Sequence, residues 1–281
     1  YTATPQGPLL ISILDLLSPK HHTVLTPGKG YTGGKTFFKE EKGLVIKIPD
    51  NEVFNTKRNN LSNCPQSLIK ALQLHIIGVA IVVYYFQRES YLSMMIHADR
   101  DQDASQKFEK WTKNILDMWI DNFKAPDDDP GKIEILESFA ETYKEAIREY
   151  QNHNEPYPTF DEILPFFSDV ILDTDTQLII SRAKKQNETI EIDWDGFTSH
   201  ILIGADMLNR GFTVEKLAVT YMPRYSIGKS TADTIQQRCR FFGYKKNYLW
   251  SCRVFLPESS ILEYQEYVEH EEEMRKWLLE N

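Results

Sequence analysis

Cysteine is scarce: three in 281 residues, Cys64, Cys239 and Cys252. Their spacing fits no metal-ligand pattern and three thiols cannot all pair, which excludes a disulfide scaffold or zinc module and suits a reducing cytoplasm. Long hydrophobic runs are missing too. The longest, Ile76 to Phe86, has 11 residues, against the roughly 20 needed to cross a bilayer, so it reads as a buried helix or strand and no membrane partner is expected. No signal-peptide pattern stands at the first residues. Positive charge is in deficit, with 32 Lys and Arg against 41 Asp and Glu and a net charge of −9. That argues against a protein coated in basic surface, although a local basic channel needs no net excess. Internal repeats and low-complexity tracts are absent, and with 41% hydrophobic and 26% charged residues the chain as a whole reads as globular. The opening Tyr1-Thr-Ala-Thr4 looks like the middle of something, so a fragment or processed product is expected.

Turn chemistry concentrates in residues 1–60, at Pro5, Pro8, Pro19, Pro27-Gly28-Lys29-Gly30 and Gly33-Gly34, with a short strand from Leu44 to Ile48. A helix is predicted to run from Ser67 into the apolar stretch ending at Phe86, and a strand from Tyr91 to Ala98. Residues 105–123 and 133–150 read as helices. In the second, Ile133, Leu136, Ala140, Tyr143, Ile147 and Tyr150 recur at three-and-four spacing, one stripe for a core. The acidic run in 125–131 between them reads as a polar linker. Thr159-Phe-Asp-Glu162 is a capping box. Strands are expected at 178–181, 200–204, 217–221 and 248–256, a helix over 231–242, and a last helix from Ser260 with Glu271, Glu272 and Glu273 on its wet face. Apolar strands alternating with helices indicate an α/β fold with a mainly parallel sheet covered on both sides. Ligands in such sheets sit at the carboxyl ends of strands, which directs attention to the residues after His97, Gly204 and Tyr221.

The strongest chemical signal lies there. Ile201-Leu-Ile-Gly-Ala-Asp-Met-Leu-Asn-Arg-Gly-Phe-Thr213 is an apolar strand ending in a small-residue turn that carries Gly204, Asp206, Arg210, Gly211 and Thr213. Arg210 can reach a phosphate region or hold the loop, Gly211 admits close backbone approach, and Asp206 can fix a ribose or an arginine. The string resembles the second RecA-like domain of helicases, where a Thr/Asp pair precedes Arg-Gly by four residues. Twenty-seven positions after Arg210, Gln237-Arg-Cys-Arg240-Phe-Phe-Gly-Tyr-Lys245 looks like the segment of superfamily 2 helicases that supplies an arginine finger. A planar, permanently charged guanidinium against a leaving γ-phosphoryl group is worth about 10³–10⁵ in rate. Arg240 is the first choice for that role, with Gln237, and with Arg238 or Lys245 assisting. Thr2-Ala-Thr4-Pro5 resembles the Ser-Ala-Thr segment that couples ATP to nucleic acid.

Together with Gly30-Tyr-Thr-Gly-Gly34, Ser93-Met-Met-Ile-His-Ala98, Arg210-Gly-Phe-Thr-Val-Glu-Lys-Leu217 and Arg240-Phe-Phe-Gly-Tyr-Lys245, these strings resemble the Z-one domain family, bacterial ATPases or endonucleases related to superfamily 2 helicases and found in restriction and phage-defence loci. The resemblance implies a RecA-like α/β sheet flanked by helices with a helical insertion. Residues 1–60 would be the end of a first RecA-like domain and a linker. Residues 61–256 would be the second, with the insertion at about 103–160, and 257–281 a C-terminal helix. It implies an ATP-dependent nucleic-acid translocase, with ATP and Mg²⁺ held mainly by a first RecA-like part outside this chain. DNA and defence-system proteins would be its partners, and Thr2, Thr4, His97, Thr213 and Arg224 its coupling residues. The chain departs from the pattern at Ala205, Asp206 and Asn209, where Gly, Asn and Ser are usual, at Cys239 for Gly, and at Lys245 for Arg. Those departures favour the alternative of a RecA-like DNA-binding or assembly module without catalysis; an endonuclease component is the third reading.

Gly30-Tyr-Thr-Gly-Gly-Lys35-Thr36 is read as a surface turn, because a Walker-type loop needs Gly where Lys29 stands. The common nuclease pattern needs an acidic-x-Lys triplet after Pro-Asp, and none follows Pro49-Asp50 or Pro126-Asp127. No metal site is expected in the chain itself. His21-His22 and the basic residues Lys57, Arg58, Arg182, Lys184 and Lys185 read as solvated surface.

Overall fold

A computed structural model describes residues 23–99, 101–152, 157–180, 191–205, 208, 213–224, 235, 238 and 240–280. Six strands form one sheet: β2 (Val45–Lys47), β3 (Leu92–His97), β4 (Thr174–Ile179), β5 (Ser199–Gly204), β6 (Leu217–Tyr221) and β8 (Arg253–Leu256). Their order is β2-β8-β6-β3-β5-β4, and every pairing is parallel. A separate antiparallel ribbon joins β1 (Tyr31–Thr32) to β7 (Gly243–Tyr244). The expected α/β class with a parallel sheet flanked by helices is what the chain adopts.

Alternation along the central strands explains the two layers. Met94, Ile96, Ile201, Ile203, Val219 and Phe255 point into one apolar core, while Met95, Leu202, Val254 and Leu256 point into another. Over the first core lie α1 (Gln66–Phe86), α2 (Gln102–Lys124), α3 (Pro130–Asn152), α4 (Phe160–Ile163) and α5 (Phe167–Leu172); over the second lie α6 (Glu258–Glu280) and the aromatic pair Phe37 and Phe38. Strands β3, β5, β6 and β8 are buried along their whole length, as both-sided cover requires.

Helix α1 is the centre of the larger layer. Its first amides are capped from a distance, because the Glu52 carboxylate accepts from Gln66 N at 3.2 Å and Ser67 N at 2.8 Å. By length and composition this helix could cross a membrane, yet 78% of its most apolar window is buried inside the protein. Its interior polar groups reach neighbouring elements: Gln73 accepts from Thr142 at 2.7 Å and donates to Ser138 at 2.8 Å, and His75 Nε2 meets Ser199 Oγ at 3.0 Å, leaving His75 Nδ1 without a hydrogen bond among the described residues. The capping box expected at Thr159 is present, with Glu162 returning to the Thr159 amide at 2.7 Å.

Within 23–60, Val45, Ile46 and Lys47 pair with Val254, Phe255 and Leu256, and Phe37 packs on Phe241 with ring centroids 5.5 Å apart. Helices continue past residue 160 through α5 to Leu172. One expectation is corrected. The predicted strand 248–256 begins only at Arg253, because residues 249–251 close a 3-10 turn in which Ser251 N donates to Tyr248 O at 3.0 Å. The helix expected over 231–242 falls largely outside the described residues.

Candidate functional site at the carboxyl ends of the central strands

Because β6, β3 and β5 are adjacent and parallel, their carboxyl ends bring His97, Gly204 and the residues after Tyr221 together. His97 is register partner to Gly204 and is fully buried. Arg224, three residues beyond β6, is 8% exposed and bridges in parallel to Phe54. The Phe54 amide donates to Pro223 O at 2.7 Å, and Phe54 packs edge-on against Phe108 at 5.3 Å, so the 50–60 segment and α2 wall this end of the sheet. Thr56 donates to the Asp99 carboxylate at 2.9 Å, closing the same wall just past His97.

Electrostatics single out His97. Burial drives its imidazole far toward the neutral form, and the Arg224 and Arg238 guanidiniums push further the same way. The Ala205 backbone approaches closely enough to favour the protonated ring a little. Its geometry falls short of a hydrogen bond, and neither ring nitrogen has a hydrogen-bond partner among the described residues. A fully buried imidazole without a hydrogen bond among the described residues, in the positive field of two guanidiniums, is a place where an anionic or strongly accepting group would be stabilised. Arg240 lies beside Arg238 in the chain, its amide donating to Arg238 O at 2.8 Å, and partial burial lowers its guanidinium pKa.

Gly204 has a structural reason to lack a side chain. A Cβ there would stand 2.5 Å from Ile179 O at the end of β4, so the close approach is between neighbouring strands. Thr213 is described and exposed. Thr2, Thr4, Asp206, Arg210, Gly211 and Gln237, like His21 and His22, lie outside the described residues, so the expected meeting of Arg210 with Arg240 has no described geometry.

Lys245 belongs to the opposite end. It is buried at 3% exposure, donates to the Leu217 carbonyl at the start of β6, and lies over the Tyr248 ring at 5.2 Å. Burial lowers its pKa. It therefore caps the amino edge of the sheet instead of joining His97. Arg253, which sequence reasoning did not single out, does similar work there: its Nη1 donates to Trp250 O at 2.8 Å and Cys252 O at 2.7 Å, and its Nη2 to Ala146 O at 3.3 Å. The signal available was an arginine heading an otherwise apolar strand. Among the described residues no group of three or more His, Cys, Asp or Glu side chains is arranged to hold a metal.

The Gly30–Thr36 string does form a turn and ribbon, with Gly30 at φ 88° and β1 following it. Compared with known proteins, the chain finds no match among curated proteins and none among solved structures. The family model for the Z1 domain matches residues 67–280, from the first turn of α1 to the last residue of α6. With more than half of its length matched, this chain belongs to the Z1 domain family.

Proposed function

We propose that the chain supplies cationic side chains to the phosphate site of a nucleic-acid-dependent ATPase, a RecA-like translocase of helicase type. The phosphate-binding loop and the metal-holding carboxylates would come from polypeptide outside the described residues. The observation that carries this reading is His97 at the carboxyl end of β3, buried, without a hydrogen bond among the described residues and in the positive field of Arg224 and Arg238. Guanidiniums suit this role because they stay charged at any working pH and present a planar fork to phosphate oxygens. As the γ-phosphoryl group leaves, negative charge on its oxygens grows, and a prepositioned arginine stabilises that charge more than the ground state. The donor set here fits phosphate oxygens and not Mg²⁺, so the divalent ion would be held elsewhere. DNA as the activating partner and a place in phage defence are further parts of the same reading, drawn from the helicase-like strings quoted above.

The test is ATP turnover by the intact protein with and without DNA. Arg240→Ala and Arg238→Ala are expected to lower turnover by about 10³-fold or more while nucleotide binding stays largely intact. Turnover at the wild-type level in both variants would overturn the assignment. The chain of 281 residues alone is expected to bind ATP weakly and hydrolyse almost none.

A further inference from the structure

A cleft of about 850 Å³ opens between the 25–36 segment and α6, on the side of the sheet away from the larger helical layer. Its size falls within the roughly 300–1,000 Å³ of small-ligand sites. The segment is seated tightly: a Cβ on Gly34 would come 2.3 Å from Val268 Cγ2, and Arg275 Nη2 donates to Leu25 O at 2.9 Å. Two tyrosines from the β1–β7 ribbon stand at the mouth. Tyr31 is 41% and Tyr244 68% exposed, and their rings meet edge to face at 5.6 Å. Large aromatic rings left this open beside a cavity offer faces for stacking.

The charges inside are unevenly satisfied. Glu40 pairs with Lys35 at 3.0 Å and Glu272 with Lys39 at 2.6 Å, whereas Glu271 makes no hydrogen bond or ion pair among the described residues. Its nearest counter-charge in the cleft is Arg275, which donates to Leu25 O and favours the ionised carboxylate electrostatically. It is half-buried, and burial raises its carboxyl pKa. The expectation that Glu271 belongs to a wet helix face is corrected here: α6 turns it into the cleft. A carboxylate accepts hydrogen bonds through two oxygens and donates none, so a fitting ligand is planar, stacks on tyrosine, and presents adjacent N–H donors.

We infer that this cleft takes an unpaired nucleobase, stacked on Tyr31 or Tyr244 with its Watson–Crick edge donating to Glu271, guanine before the others. Guanine alone among the common bases sets a ring N–H beside an exocyclic amine, two donors matching two carboxylate oxygens. Lys35, which lines the cleft in its pair with Glu40, is a cation within it that an attached phosphate could share. The base can come from a free nucleotide or from a single strand; the chemistry at Glu271 is the same. This shares with the ATPase reading only the expectation of a nucleic-acid partner, and its test omits ATP, so either can fail alone.

Binding to the whole chain is measured by fluorescence anisotropy with labelled dT13, with the same strand carrying one central guanine, and with hypoxanthine in that position, which lacks the amine. GMP and IMP serve as competitors. The guanine strand is expected to bind at least about fivefold tighter than dT13, with hypoxanthine between them. Tyr244→Ala should weaken the guanine strand by about tenfold, and Glu271→Ala should erase the preference among the three strands. Circular dichroism checks that both variants, one at an exposed ring and one at a cleft wall, keep the fold. Competition by GMP over IMP assigns the base to a free nucleotide, and its absence with strand preference intact assigns it to a strand. Equal affinity for the three strands together with no GMP competition, or a preference untouched by both substitutions, overturns the inference.

Discussion

The two ends of the parallel sheet use the same residue types to opposite effect. At the amino end buried cations are consumed by backbone: Lys245 donates to Leu217 O, and Arg253 to three carbonyls. The histidines there each find one partner, His75 in Ser199 Oγ and His200 Nε2 in Trp194 O at 3.1 Å. Tyr91 donates to Glu215 at 2.6 Å, and Lys216 lies 4.0 Å over the Tyr91 ring. At the carboxyl end neither His97 nitrogen has a hydrogen bond among the described residues, and the Arg224 and Arg238 guanidiniums act on the ring electrostatically. The difference is one of degree: each amino-end histidine uses one ring nitrogen and leaves the other without a hydrogen bond, while the His97 ring makes none among the described residues. A buried polar group with more unused capacity is the better candidate for a ligand.

The comparison can be broken by mutation. Arg253→Leu, which orphans three carbonyls at the amino end, is expected to cost about 3 kcal/mol of stability, read from the urea midpoint. Lys245→Met should cost about 2 kcal/mol. Stability near wild type with turnover selectively lost would instead put Lys245 at the phosphate site and undo the distinction. Acid sharpens it further. The folded pKa of His75 is lowered to about 3, and that of His97 also falls far below its ordinary value. Their contribution is whole above the unfolded value of about 6.5 and lost as pH falls below it, by up to about 1.4 kcal/mol per pH unit for each histidine. Urea midpoints between pH 7 and pH 4 test this, and His75→Gln should remove one proton's share of the slope. Smallest is His97→Leu, expected to leave stability unchanged or raise it by up to about 1 kcal/mol, since it removes polar atoms that make no hydrogen bond among the described residues. A cost as large as that of Arg253→Leu would show that both ends are structural.

Much of the fold could be read from residue order alone. Strands β3, β5 and β6 are aliphatic runs bounded by turns, the kind of pattern that survives without tertiary knowledge, and the capping box at Thr159 is a local contract between two side chains. Strand β4 was placed late because its Thr174-Asp-Thr-Gln177 half is polar, as an edge strand with one open side allows. The membership of β2 depends on pairing with β8 some two hundred residues away, which no local window contains. At the site, the carboxyl-end rule directed attention to the residues after His97, Gly204 and Tyr221, and strands β5, β3 and β6 lie side by side. Lys245, Arg253 and Glu271 were misjudged or missed for one reason: charged residues are ordinarily solvated, and only packing reveals when their charge is turned inward.

The position of β2 also bears on how this domain can be cut. The matched family region opens at residue 67, downstream of Val45–Lys47. A polypeptide trimmed to that region would strip β8 of its outer neighbour and bare the apolar faces that Phe37 and Phe38 cover. Such a truncation presents an unprotected row of backbone donors and acceptors to any passing strand, and clumping would follow from the trimming itself.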